Sequence, residues 1–121
     1  MATAVPDLSD IVLHQATRTL EVRFADGSVF HLSAEYLRVH SPSAEVQGHG
    51  PGPGVLVGGK QAVAITALAP IGHYALQITF SDGHDSGLFS FDYLYRLGRE
   101  RDTLWQRYLD RLTAAGESRQ A

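Results

Sequence analysis

Residues 20–38 read LEVRFADGSVFHLSAEYLR, and residues 76–96 read LQITFSDGHDSGLFSFDYLYR. With one extra residue allowed in the second hairpin, the two stretches carry the same parts in the same order. In the first, Leu20, Val22 and Phe24 alternate with Glu21 and Arg23, the period-two pattern of a half-buried strand. Phe24, Asp26 and Gly27 recur as Phe80, Asp82 and Gly83, and each Asp-Gly pair predicts a tight turn into a second strand. Ser33, Glu35, Tyr36 and Leu37 recur as Ser90, Asp92, Tyr93 and Leu94. Ser33 suits the N-cap of a short helix, SAEYLRV, with Glu35 in its positive first turn. Each unit is therefore strand, turn, strand, serine-capped helix. Two copies imply a pseudo-symmetric α+β domain rather than a solenoid, which needs at least ~3 repeats.

Around the two units, Ile11–His14 reads as another short strand, with Gln15–Thr19 as a turn, and AVAITAL reads as a strand before the second unit. Gly98 is expected to end the second helix. A last helix runs from about Glu100 to Ala115 and sets Leu104, Trp105, Tyr108, Leu109 and Leu112 on one stripe, so it should pack on the sheet. The expected boundaries are an N-terminal extension over 1–10, the domain over 11–115 and a frayed tail over 116–121.

Composition narrows the function classes. A chain of 121 residues with 44% hydrophobic and 19% charged residues suits one globular domain. A net charge of −3 gives no footprint for nucleic acid or an anionic membrane. The absence of cysteine excludes disulfides, thiolate zinc sites and cysteine nucleophiles. MATAVPDLSD lacks the basic start and apolar core of a signal peptide, and no apolar stretch approaches the ~20 residues of a spanning helix. A soluble cytoplasmic protein is the expectation.

Three candidate chemistries lie in and around HSPSAEVQGHG, residues 40–50. Gly54 to Lys60 fits G-x-x-x-x-G-K, but Gln61 replaces the magnesium-binding Ser or Thr and a strand follows where a helix N-terminus belongs. The match is a decoy. For a metal, His40, Glu45, His49, His84 and Asp85 offer imidazole and carboxylate ligands for iron or zinc, without any tight helical spacing. For catalysis, Ser41, Ser43 and Ser86 can be drawn beside His40 or His84, but no G-x-S-x-G elbow occurs. Ser33, Ser41 and Ser90 read better as helix caps, Ser41 with Pro42 at the first helical position. No catalytic constellation emerges.

LRVHSPSAEVQGHG and FSDGHDSGLFSFDYLYRLG resemble the gamma-butyrobetaine hydroxylase-like N-terminal domain family, over roughly Ile11 to Leu109. The resemblance implies a compact α+β fold. In eukaryotic members it implies a structural zinc on a Cys-Pro-Cys-x-x-Cys run plus a later histidine. Those positions here are Ser41, Ser43, Val46 and His84, so three of the four ligands are missing. Other members are joined to a P-loop ATPase of the iron–sulfur carrier type, which implies an accessory role in cluster delivery. The reading that follows is a non-enzymatic adaptor without cofactor. It binds a protein partner through His40, Ser41, Pro42, Ser43, Glu45, Gln47 and His49. The alternative is a small module holding a divalent metal on His40, His49 and His84 with a carboxylate. A ligand site in the glycine-rich cleft is a third option.

Overall fold

The structure is a computed structural model and describes residues 5–42 and 56–120. Among these residues, two three-stranded antiparallel sheets and three helices form a mixed α+β domain. The first sheet has the order β1 (Leu8–His14), β2 (Thr19–Phe24), β3 (Val29–Ser33), followed by α1 (Ala34–Val39). The second has the order β4 (Ile65–Ile71), β5 (Ala75–Phe80), β6 (Leu88–Ser90), followed by α2 (Phe91–Arg99) and α3 (Arg101–Ala115).

The repeat is longer than its shared residues suggest, because each unit has a third strand. Leu8 pairs with Phe24 and Ile65 with Phe80, and both ladders break register just beyond that pair. Strand β1 begins at Leu8, inside the stretch expected to be an extension, and Ala25 N–H donates to Asp7 O at 2.8 Å.

Local chemistry explains the shared parts. Gly27 and Gly83 sit at φ 89° and 87°, where a β-carbon is costly. Asp26 and Asp82 each accept the amide two residues on, at 2.8 and 3.1 Å, which fixes the turn. Ser33 and Ser90 accept the amides of Tyr36 and Tyr93, both at 3.1 Å.

The two units meet in one core. Leu20, Val22, Phe24, Leu32 and Leu37 from the first unit pack with Leu76, Ile78, Phe80, Phe89 and Leu94 from the second. Each such side chain, once buried, contributes about 1.5–3 kcal/mol. Polar contacts across this seam are exchanged in matched pairs. Tyr36 OH donates to Leu97 O at 2.7 Å, and its counterpart Tyr93 OH donates to His40 O at 2.6 Å. Arg38 Nε donates to Asp82, while its counterpart Tyr95 OH donates to Asp26, both at 2.8 Å. The second unit thus relates to the first as one protomer relates to the other in a two-fold dimer.

Further expectations change. Gly98 lies inside α2 rather than ending it, and a β-carbon there would collide with the ring of Phe30. The glycine is needed for close approach of helix and strand. The tail expected to fray is docked among residues 116–120. Arg119 donates to Glu35 through Nε and Nη2 at 2.8 and 2.7 Å, and Ser118 O and Arg119 O accept Gly59 N–H and Gln61 N–H. The stripe of α3 faces inward, with Tyr108 and Leu112 buried and Leu104, Trp105 and Leu109 half-buried. Its buried residues, however, meet α1 where the sheet was expected. Tyr108 and Leu112 close on Val39 of α1 with Leu56 and Val57 beside them, and Leu104 and Trp105 reach the main core.

Candidate functional site

The halves differ where the seam meets the two Asp-Gly turns. At the first unit's turn, Asp26 accepts a hydrogen bond from the neutral hydroxyl of Tyr95 across the seam and feels the charge of Arg99 beyond it. At the second unit's turn, Asp82 Oδ2 meets two cations, Arg38 Nε at 2.8 Å and Lys60 Nζ at 2.6 Å. Burial alone would raise the pKa of Asp82, but hydrogen bonds from Lys60, the His84 amide and Arg38 outweigh it and hold the carboxyl at about 2. Arg38 is nine-tenths buried, and its Nη1 has no hydrogen-bond partner among the described residues.

Beside this ion cluster, His84 is buried and its Nε2 lies 2.9 Å from the hydroxyl of fully buried Ser41. Gly87 makes room for the pair, since a β-carbon there would strike Ser41 Oγ. His40 caps the end of α1, with its Nδ1 2.9 Å from Tyr36 O and its ring against that of Tyr36 at 4.6 Å. Burial pushes its pKa below the usual histidine value. The chain then passes through Ser41 and Pro42 and out of the described residues.

The sequence-derived site residues are therefore partly gathered. His40, Ser41 and His84 line one end of the domain, Ser41 in direct contact with His84. Ser43, Glu45, Gln47 and His49 lie outside the described residues. Ser41, expected as a cap, holds His84, and the residues it was expected to cap are also outside them. Arg38, Asp82, Gly87 and Tyr93 were missed as site residues. The signal for Arg38 and Asp82 lay in the repeat, where Tyr95 and Asp26 replace the ionic pair. Lys60 is spent on Asp82, and β4 follows it, so the nucleotide-binding motif lacks its helix.

The zinc implied by the resemblance does not fit this donor set. Ser41 supplies a neutral hydroxyl already bonded to His84, and Val46 has no donor atom. The histidine alternative gains no support either. The rings of His40 and His84 are each committed to another partner, and among the described residues no group of three His, Cys, Asp or Glu could hold a metal ion. Of the serines considered for catalysis, Ser41 is fully buried and closed to a substrate, Ser86 is exposed, and Ser43 lies outside the described residues. No helix among the described residues is long and apolar enough to cross a membrane.

Fold and site define a small α+β domain of two matched halves, with one ionic and histidine-bearing cluster around Asp82 and His84 and another around Glu21 with His14, Arg23 and His31. Residues 11–95 match the family described as gamma-butyrobetaine hydroxylase-like, N-terminal, and the chain belongs to it. Two proteins solved in solution by NMR are similar over almost the whole chain. One is 51% identical, covering 96% of this chain and 91% of its own, with a TM-score of 0.83. The other is 48% identical, covering 95% and 86%, with a TM-score of 0.82. A crystal structure from Acidithiobacillus ferrooxidans ATCC 23270, described as a protein of unknown function of the DUF971 family, is 37% identical. It covers 78% of this chain and 98% of its own, with a TM-score of 0.66. No curated protein matches the chain.

Proposed function

We propose that the protein is a non-enzymatic adaptor domain that presents residues 40–50 to a protein partner. One observation supports the reading: polar groups that differ between the halves collect around residues 38–42, at the start of this stretch. The Arg38–Asp82–Lys60 cluster, the Ser41–His84 contact and the bond from Tyr93 to His40 O fix the point of departure. Such anchoring lowers the entropy lost when a presented segment binds. The candidate partner, drawn from the resemblance, is a P-loop ATPase of the iron–sulfur carrier type, acting in the cytoplasm.

The test is capture of such an ATPase by the purified protein, beside urea denaturation. Glu45→Ala with Gln47→Ala should shift the stability by less than about 0.5 kcal/mol, as surface changes do, and abolish capture. Asp82→Ala should cost several times more stability. A loop variant as unstable as Asp82→Ala makes the stretch a structural plug. A loop variant that is stable and still captures the partner ends the adaptor reading. For the metal alternative, the expected result is no stoichiometric zinc or iron and a melting temperature unchanged by chelators, because structural zinc contributes folding energy directly.

A further inference from the structure

The seam also relates two cavities, and their linings carry opposite charge. In each unit the turn between the first two strands bonds to the start of the helix. Arg18 O accepts Ala34 N–H, and its counterpart Tyr74 O accepts Phe91 N–H, both at 2.8 Å. A cavity opens beside each of these bonds. The one in the second unit includes Asp7, Asp10 and Asp92 in its lining and no Lys or Arg. The one in the first unit, about 450 Å³, brings together Arg18, Arg101 and Arg119 with a single carboxylate, Glu35. That carboxylate is buried and already engaged by Nε and Nη2 of Arg119. Arg101 also touches Asp102 at 3.2 Å, but the Asp102 side chain is 97% exposed and the contact is screened by water.

Arg18 has a second peculiarity. At φ 53° it is the one non-glycine residue in the left-handed region among the described residues, whereas Gly72 supplies positive φ in the matching turn. An arginine held where glycine is the cheaper residue points to a use for its side chain. Thr17 and Gln61 add polar groups to the same wall, and Arg119 stacks over Trp105 at 5.3 Å. The arrangement is an Arg119–Glu35 pair stacked on Trp105, with two further guanidiniums in the same lining, on a chain whose net charge is −3.

We infer that this cavity binds a small multivalent oxyanion, a phosphate or a polycarboxylate, between Arg18 and Arg101 above the Arg119–Glu35 pair. Guanidinium groups match the geometry of either oxyanion through paired N–H donors.

The test is titration of the isotopically labelled full chain with inorganic phosphate and, separately, with citrate, at constant ionic strength and with chloride as control. Amide and indole shifts of residues 17–18, 61, 101 and 105 should saturate with one of the two probes and not with chloride. The responding probe identifies the source of the oxyanion. Arg18→Gly keeps the left-handed turn and removes the charge, so it should weaken binding at least tenfold while the fold persists. Arg101→Gln should weaken it comparably. Arg107→Gln, on the exposed face of α3, should leave it unchanged. Overturning results are no saturable shift with either probe, equal shifts with chloride, or affinity indifferent to Arg18→Gly and Arg101→Gln. Capture of a protein partner through residues 40–50 is a separate readout and does not depend on this one.

Discussion

Asp82 does two jobs that a single aspartate in a turn seldom combines. Its Oδ1 accepts the His84 amide and so shapes the hairpin, while Oδ2 holds Arg38 and Lys60. Asp82→Asn keeps the turn-forming amide acceptor and removes the charge, leaving nine-tenths buried Arg38 without its counter-ion. Loss of one partner of a buried pair costs 3–5 kcal/mol; here Lys60 and Asp82 are partly exposed, so about 2 kcal/mol is expected at pH 7. The pH dependence follows from the sign of the shift. The folded-state pKa, about 2, lies below the ordinary value of 3.8. The charge therefore stabilises fully above about pH 4, and that contribution is lost as the pH falls towards 2. Urea midpoints of the two proteins should converge between pH 4 and 2. A gap that persists at pH 2 would show that Asp82 acts through the turn and not through its charge.

Among the elements, the tail after α3 gives the sharpest test, since it ties together parts distant in sequence. Removing residues 117–121 deletes Arg119 and leaves Glu35 buried and unpaired, so a loss of about 2 kcal/mol is expected. Glu35→Gln in the shortened chain should recover part of it by removing the stranded charge. Further loss on that substitution would place the tail's contribution in its bonds to Gly59 and Gln61 instead. The tail was misread because GESRQA has no apolar residue except its last, and its anchor is one long-range ion pair. What the sequence did reveal was local chemistry: Asp-Gly turns, serine caps and the alternation in β2 depend on neighbours a few residues apart. The third strand of each unit was recognisable as a strand but not as part of the repeat. LSDIVLH and ITALAPI pack only part of one face on the core, so few identities are constrained. Gly98 suited a helix end equally well on local grounds, and Phe30, 68 residues away, decides otherwise. In the site, Lys60 stood out as a cation in a glycine run, while its partner Asp82 read as a turn residue. Ser41 and His84 came together only through the family resemblance, because 43 residues separate them.

At the scale of the molecule, the shared core demands cooperativity. Leu20 and Leu76 are counterparts, both essentially fully buried, and both belong to the same cluster. Leu20→Ala and Leu76→Ala should each cost about 3 kcal/mol. Each should also lower the stability seen by amides of β2 and of β5 by the same amount in native-state hydrogen exchange. Protection lost in one sheet alone would mean that the halves unfold separately. The exchanged tyrosine bonds, Tyr36 to Leu97 and Tyr93 to His40, carry a further meaning. A contact that each half makes identically upon the other is what two copies of one short peptide form when they associate. The architecture is what fusion of one short chain to its own copy would give, with residues 40–64 joining the two copies. The described end of that joint is held firmly, since Val63 lies in the shared core and Lys60 on Asp82, so the second copy is seated before its own first strand begins.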